Sequence, residues 1–178
     1  MKKNAGFTLI EVIAVLVLVG IIAAVAGLGI VRGVEGYLFA QSNTEITQKA
    51  QLALARMTRE LVDLSAITAG TNSTITFITP LLSTGTTKTI ALASSTITLD
   101  GDVLTDSVYG TNGFTVTYCD TSIVCTNTPS AAVISNPNLL ARIDITLRLI
   151  RQDIGAGYLE FKTSVNPRNT SVPNAPLG

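Results

Sequence analysis

The residue best placed to carry unusual chemistry is a single glutamate inside an otherwise apolar segment. Residues 7–31 read FTLIEVIAVLVLVGIIAAVAGLGIV, and Glu11 is their only charged side chain. A carboxylate at the centre of a membrane-spanning helix costs about 2.5–3.5 kcal/mol on insertion scales, and less near the interface, so it marks a functional site by default. Glu11 therefore needs either a cationic partner or a place near an interface.

Two cysteines, Cys119 and Cys125, lie in the segment CDTSIVC. An even pair in an exported domain favours a disulfide, which here would close a small loop at the end of a strand. Two unpaired thiols and half of a metal site are the alternatives. A tetrahedral metal site would lack its remaining ligands, because the chain has no histidine and no third cysteine.

Four aspartates are the other candidates for a cation site: Asp100, Asp102, Asp106 and Asp120. Their spacing lacks the twelve-residue loop and the closing glutamate of an EF-hand. Turn positions explain them better, since Asp100 followed by Gly101 is typical of the type I′ turn of a β-hairpin. We expect no metal and no cofactor.

The composition argues against an enzyme and against a nucleic-acid-binding protein. The chain has no histidine, which removes the commonest general base, and no nucleophile has an identifiable base. Twelve basic residues balance twelve acidic ones, so no long-range field attracts nucleic acid. Charged residues make up 13% of the chain, against about 25% in soluble domains, so part of the chain avoids water.

The apolar segment is long enough to cross a bilayer. Residues 7–31 would form a helix of about 37 Å, and the hydrocarbon core is about 30 Å thick. Because Lys2 and Lys3 precede this segment, the positive-inside rule keeps residues 1–6 in the cytoplasm and exports the rest. A cleaved secretory signal fits poorly, since its apolar core has about 7–15 residues. A plain single-span anchor is the alternative.

Residues 6–11 read GFTLIE behind the short basic leader. This pattern resembles the class III signal of type IV prepilins and type II secretion pseudopilins. The resemblance implies that a prepilin peptidase cuts between Gly6 and Phe7 and methylates the new amino terminus. It also implies that Glu11 of one subunit pairs with the Phe7 ammonium of a neighbour and sets the axial register of a filament. A glutamate that is merely tolerated near the membrane interface is the alternative.

The physical effect of such a cut can be stated separately from the resemblance. Cleavage after Gly6 removes both leader lysines and leaves an α-ammonium on Phe7, one helical turn before Glu11. Loss of the leader charges also lets the helix leave the bilayer sideways into a bundle. A charge pair buried in such a bundle contributes to register more convincingly than to net stability.

After the apolar segment the pattern becomes helical and one-sided, and then strand-like. Apolar residues at three- and four-residue steps predict an amphipathic continuation of the helix over residues 32–68. Alternating and β-branched runs predict strands at residues 73–78, 89–93, 96–99, 103–107, 114–119, 142–150 and 158–165. This order predicts a pilin-like α+β fold. Its exported domain, residues 69–178 with an extended tail from about 166, would place an antiparallel sheet across the second half of the helix.

The exported domain also resembles the larger minor pilins and the J-type minor pseudopilins. The similar stretches are GFTVTYCD at 113–120, residues 142–149, and TSVNPRN at 163–169. We therefore expect a structural subunit, a minor pilin or pseudopilin, with a major pilin as an alternative. A membrane-anchored binding or adaptor module is a second hypothesis. A DNA-uptake pilin is a third, although residues 70–178 contain no basic cluster.

The resemblance also implies partners and a location. The partners are the prepilin peptidase/methyltransferase, other pilin or pseudopilin subunits, and the inner membrane, and no nucleic acid is expected. The precursor would be a single-pass protein of the bacterial inner membrane with its N-terminus in the cytoplasm. The processed chain would then enter a periplasmic or extracellular filament.

Overall fold

A computed structural model describes residues 8–80, 86–151 and 157–168. The predicted leader and Phe7 lie outside the described residues, as does most of the predicted tail. The chain divides into two compact units, Met1–Ser42 and Asn43–Gly178. One long helix, α1, covers Leu9–Val62 and contributes to both units.

In the first unit, the described residues form a helical segment without a buried side chain. Residues 9–42 are helical, and every residue from 8 to 41 is exposed. The segment contains seven valines and five glycines, which are weak helix formers, but it has no proline, and a chain in lipid must pair its own backbone groups, which favours a helix. A helix that is apolar on all sides belongs in a membrane or inside an assembly.

In the second unit, α1 is one-sided. Its buried residues are spaced by three or four positions: Ile46, Ala50, Ala53, Met57 and Leu61. They belong to the same apolar core as the strands of this unit. This packing confirms the predicted α+β arrangement, in which a long helix packs on antiparallel strands.

The helix ends at Val62, earlier than the predicted boundary at 68. Leu64 and Ile67 continue the helical spacing and are buried, but Ile67 lies in the first strand. Ser65 turns the chain toward this strand, because its N–H and its hydroxyl donate to the carbonyl oxygen of Ile78 at 2.8 and 3.1 Å. Spacing alone does not separate a buried strand residue from another turn of helix.

Among the described residues, the strands form two antiparallel sheets, where the sequence predicts one. The first sheet has the order β1-β2-β3-β4-β5. Its strands are β1 Ala66–Gly70, β2 Thr74–Thr79, β3 Thr86–Ala93, β4 Thr96–Leu99 and β5 Asp102–Thr105.

The second sheet has the order β7-β6-β8-β9. Its strands are β6 Phe114–Asp120, β7 Cys125–Thr126, β8 Leu140–Ile150 and β9 Tyr158–Val165. A short helix, α2 Ala131–Ser135, and a 3-10 turn, Pro137–Leu139, connect β7 to β8. Buried residues alternate with partly exposed ones along most of β8, so the second sheet has one face in the core.

The loop between β5 and β6 explains the division into two sheets. The N–H of Val108 donates to the carbonyl oxygen of Ser95, in the first sheet's β3–β4 turn, at 2.9 Å. The N–H of the next residue, Tyr109, donates to the carbonyl oxygen of Arg148 in β8, also at 2.9 Å. The loop therefore takes the chain from the edge of one sheet to the other.

The turn between β4 and β5 follows the prediction. Asp100 and Gly101 have φ values of +53° and +92°, the positive values that a type I′ turn requires. The flanking residues Leu99 and Asp102 are cross-strand partners. The carboxylate of Asp100 also accepts the N–H of Thr89 at 2.7 Å, which ties the turn to β3.

Candidate processing and assembly site

Glu11 lies in the first turn of α1 with an exposed side chain. The carbonyl oxygen of Thr8 begins the helix, because it accepts the N–H groups of Glu11 and Val12 at 3.1 and 3.3 Å. A carboxylate in the first turn interacts favourably with the positive end of the helix dipole. Gly6 and Phe7 lie outside the described residues, so the cut between them and the pairing with Glu11 stay predictions.

The helix that carries Glu11 is long and apolar enough to cross a membrane. Its most apolar 18-residue window has a mean hydropathy of 3.0, and none of that window is buried within the protein. The core helix of a soluble protein can be equally apolar, but it is mostly buried by the rest of that protein. Because this segment is not buried, it is consistent with membrane anchoring.

The structure joins Cys119 of β6 and Cys125 of β7 in the expected disulfide, with Cα atoms 4.0 Å apart. The two residues are also cross-strand partners. Because β7 has only two residues, the disulfide holds a very short edge strand to its sheet. Few residues separate the cysteines, so we expect only a modest stabilisation from restricting the unfolded chain.

The disulfide encloses a three-residue hairpin loop, Thr121, Ser122 and Ile123. The N–H of Ile123 donates to the carbonyl oxygen of Asp120 at 3.0 Å, as in a type I turn. The N–H of Asp120 donates to the carbonyl oxygen of Val124, also at 3.0 Å. This loop type ends on a left-handed residue, usually glycine, but Ile123 takes the position with φ +65°. Its side chain is 84% exposed. Burial within the described residues therefore does not explain an isoleucine there.

Three of the four aspartates considered for a cation site, Asp100, Asp106 and Asp120, stabilise turns or form ion pairs. Asp106 lies 3.2 Å from the Nζ atom of Lys49. One carboxylate oxygen of Asp120 accepts the N–H groups of Ser122 and Val124, both at 2.9 Å. In residues 8–80, 86–151 and 157–168, no group of three or more His, Cys, Asp or Glu side chains could hold a metal ion.

The adjacent strands β8 and β9 carry a network of three charges. Glu160 accepts from Arg148 Nε and from Lys162 Nζ, both at 2.7 Å. These hydrogen bonds, first from Lys162 and then from Arg148, lower the pKa of the Glu160 carboxyl, and the bond to Glu160 raises the pKa of Arg148. Shifts in these directions keep Glu160 and Arg148 charged near neutral pH. The network therefore fits a structural role better than general acid or base chemistry.

Two tertiary contacts in this unit are missing from the sequence predictions. The hydroxyl of Tyr118 bonds to the carbonyl oxygens of Thr71 and Thr74 across the two sheets. Lys88 of β3 forms an ion pair with Glu60 of α1, and both side chains are partly buried. The partners are at least 28 residues apart in the chain, so no local pattern indicates them.

Comparison with known proteins gives one match. The sequence profile of the prokaryotic N-terminal methylation motif matches residues 1–27. No curated protein and no solved structure matches the chain significantly. The matched range contains the predicted cleavage site and Glu11 and ends inside the apolar part of α1. The chain therefore carries a prokaryotic N-terminal methylation motif, which supports a type IV pilin or pseudopilin class.

Proposed function

We propose that the chain is a structural filament subunit, a minor pilin or pseudopilin. A prepilin peptidase processes it after Gly6, and it assembles through its N-terminal helix. The observation that carries the proposal is a single carboxylate, Glu11, within residues 9–31 of α1, a segment that is otherwise apolar and is exposed on all sides, and the matched methylation motif includes Glu11. Such a helix requires lipid or other helices around it.

Cleavage would change the charge at the start of the helix in two ways. It removes Lys2 and Lys3, and it creates an α-ammonium on Phe7. An isolated charge is costly to bury, whereas a carboxylate and an ammonium in contact offset much of that cost. Pairing between Glu11 of one subunit and Phe7 of the next therefore sets register, because an axial slip leaves both charges unpaired.

The exported domain supports a structural role in an oxidising compartment. A disulfide between Cys119 and Cys125 is typical of proteins outside the cytoplasm. The minor class rests on the resemblance of residues 113–120, 142–149 and 163–169 to minor subunits. The precursor would span the inner membrane with its N-terminus in the cytoplasm, and the mature chain would join other subunits in a pilus or a secretion pseudopilus.

A membrane-anchored binding or adaptor module is the second candidate. The exposed apolar helix also favours this function, because a single-span tether needs the same length and the same lipid cover. In this alternative the chain keeps its leader, and Glu11 lies near the membrane interface without a partner subunit.

The test compares the wild-type chain with Gly6→Val, Glu11→Val and Glu35→Gln in native cells. Mass mapping of the N-terminal peptide is expected to find N-methylated Phe7 in the wild type and an intact leader in Gly6→Val. Glu11→Val should be exported but lost from the sheared filament fraction. Glu35 is the matched control, because it is an exposed glutamate of the same helix, paired with Arg32 at 3.2 Å. Glu35→Gln should assemble normally.

Two results would contradict the proposal. A wild-type chain that begins at Met1 and is monomeric in native membranes would favour the anchored module. Normal incorporation of Glu11→Val into filaments would overturn the register role of Glu11, even if the leader is cleaved as expected.

A further inference from the structure

Beyond the apolar segment, the first unit exposes three consecutive large side chains. Tyr37 is 68% exposed, Leu38 56% and Phe39 39%, and all three lie in α1. They follow an exposed ion pair between Arg32 Nη1 and Glu35 Oε2, 3.2 Å apart. Large apolar side chains grouped in this way on a surface commonly mark a contact with a partner or a membrane.

Tyr37, Leu38 and Phe39 form a collar around the helix rather than a stripe along it. Consecutive residues of an α-helix are about 100° apart, so Tyr37 and Phe39 point in directions about 200° apart. Apolar side chains along one side of a helix favour packing against a second helix. Apolar side chains on several sides favour an environment such as lipid, which surrounds the helix. Tyrosine, with an apolar ring and a polar tip, favours the boundary between membrane and water.

The position of the collar along the helix matches the thickness of a bilayer. From Leu9 to Tyr37 the helix rises about 42 Å, and a bilayer with its headgroup layers is about 40–45 Å thick. The apolar run ends at Val31, about 9 Å before Tyr37 along the helix axis. A typical helix tilt of about 20° makes the corresponding distance along the membrane normal slightly shorter. Arg32 and Glu35 then lie among the headgroups, where their ion pair carries no net charge.

We propose that the collar anchors the membrane-inserted precursor in the phospholipid headgroup layer on the exported side of the bilayer. This inference rests on the membrane-inserted stage of the proposed function. The membrane-bound part of the helix therefore extends past residue 31 to about residue 39. Arg32 and Glu35 therefore lie within the headgroup layer, and not in the water beyond the membrane.

Single-tryptophan variants test this depth directly, because the natural chain contains no tryptophan. The full-length chain with Tyr37→Trp or Phe39→Trp is reconstituted in vesicles of phosphatidylcholine and phosphatidylglycerol. Ile22→Trp is the deep reference, and Leu52→Trp, at a position 72% exposed in the second unit, is the aqueous reference. Fluorescence is quenched with a headgroup nitroxide, with lipid brominated in the middle of its acyl chains, or with aqueous iodide.

We expect the headgroup nitroxide to quench Tyr37→Trp and Phe39→Trp more strongly than the brominated lipid or iodide does. Both collar variants should be quenched by the headgroup nitroxide, and Tyr37→Trp, at the more exposed position, at least as strongly as Phe39→Trp. Ile22→Trp should be quenched most by the brominated lipid, and Leu52→Trp mainly by iodide.

Two outcomes overturn the collar. If iodide quenches Tyr37→Trp as strongly as Leu52→Trp, the membrane boundary lies near residue 31. If one collar variant is shielded from all three quenchers while the other is not, a protein helix covers that side. The Ile22→Trp reference separates these results from a failure of the proposed function. An unquenched Ile22→Trp in brominated vesicles would overturn membrane insertion itself, and the collar with it.

Discussion

Tyr118 of β6 donates a hydrogen bond from its hydroxyl to the carbonyl oxygen of Thr74 in β2, at 3.1 Å. This bond links the two sheets of the second unit, and the carbonyl oxygen of Thr71 is a second acceptor at 3.3 Å. Tyr118 is only 2% exposed, and its burial raises the pKa of the hydroxyl. The hydroxyl therefore stays neutral and remains a donor near neutral pH.

Removal of this hydroxyl should weaken the joint between the sheets. We expect Tyr118→Phe to lower the free energy of unfolding by about 1 kcal/mol, the usual net contribution of one hydrogen bond. A larger loss is not expected, because the carbonyl oxygen of Thr74 also accepts the N–H of Thr71 at 2.7 Å. Urea unfolding of the detergent-solubilised full chain, followed by circular dichroism, measures the change.

Tyr109→Phe is the matched control for this prediction. Tyr109 is 38% exposed, so water can replace any hydrogen bond that its hydroxyl makes. This variant should stay within about 0.5 kcal/mol of the wild type, as is usual for surface changes. Equal losses in the two variants would show that the Tyr118 hydroxyl has no special role between the sheets.

Local chemistry predicts some parts of this fold well. The type I′ turn at Asp100 and Gly101 follows from two adjacent residues that tolerate positive φ. The division into two sheets depends instead on Val108 and Tyr109, whose backbone partners lie in distant strands. Ile67 illustrates the same limit, because its spacing fits a helix although it lies in β1.

The candidate site shows a similar contrast. Glu11 is evident from the sequence, because a charge inside an apolar run is costly and therefore rare. Tyr37 and Phe39 are missing from the sequence predictions, although two aromatic residues just beyond a membrane-length segment are typical of a membrane interface. Their placement around the helix becomes informative only when their exposure is known.

Relief of backbone strain at Ile123 should stabilise the second unit. An L-amino acid in the left-handed helical conformation costs about 1–2 kcal/mol, while glycine avoids this cost but loses about 0.5–1 kcal/mol more through chain entropy. Because the Ile123 side chain is 84% exposed, little burial is lost. We expect Ile123→Gly to raise the free energy of unfolding by about 0.5–1 kcal/mol, measured by urea unfolding with the disulfide intact.

Ser122→Gly is the matched control for the loop. Ser122 is the preceding loop residue and does not have a positive φ, so glycine there relieves no strain and only adds freedom to the unfolded chain. It should be neutral or slightly destabilising. Destabilisation by Ile123→Gly would contradict the strained geometry and indicate that the isoleucine side chain stabilises the folded loop.

The ion pair between Glu60 and Lys88 should show measurable coupling between α1 and β3. Their side chains are only 19% and 27% exposed, so water screens this pair less than a surface pair. A double-mutant cycle with Glu60→Ala and Lys88→Ala is expected to give a coupling energy of about 1 kcal/mol, at the upper end for partly exposed pairs.

The pair of Glu45 and Lys49, on the same helix, is the control for that cycle. Its side chains are 65% and 40% exposed, and the Nζ atom of Lys49 lies 3.2 Å from the carboxylate. We expect a coupling of about 0.3–0.5 kcal/mol for this i,i+4 pair. Equal coupling in the two cycles would mean that partial burial does not strengthen the contact between the helix and β3.

The charge network at Glu160 should make part of the stability depend on pH. Hydrogen bonds from Lys162 and then Arg148 lower the pKa of the Glu160 carboxyl below its ordinary value of 4.5. A carboxyl whose pKa is lowered by folding stabilises the fold above its unfolded pKa, and this contribution is lost as pH falls through the folded pKa. Glu160→Gln should therefore lower Tm near neutral pH, and the difference from the wild type should shrink below about pH 4. Thermal unfolding of the detergent-solubilised chain across this range measures the effect.

Salt at about 0.5 M is the control, since screening should reduce the neutral-pH difference in Tm between the wild type and Glu160→Gln. A difference that does not change with pH would show that the charge of Glu160 is not the stabilising element.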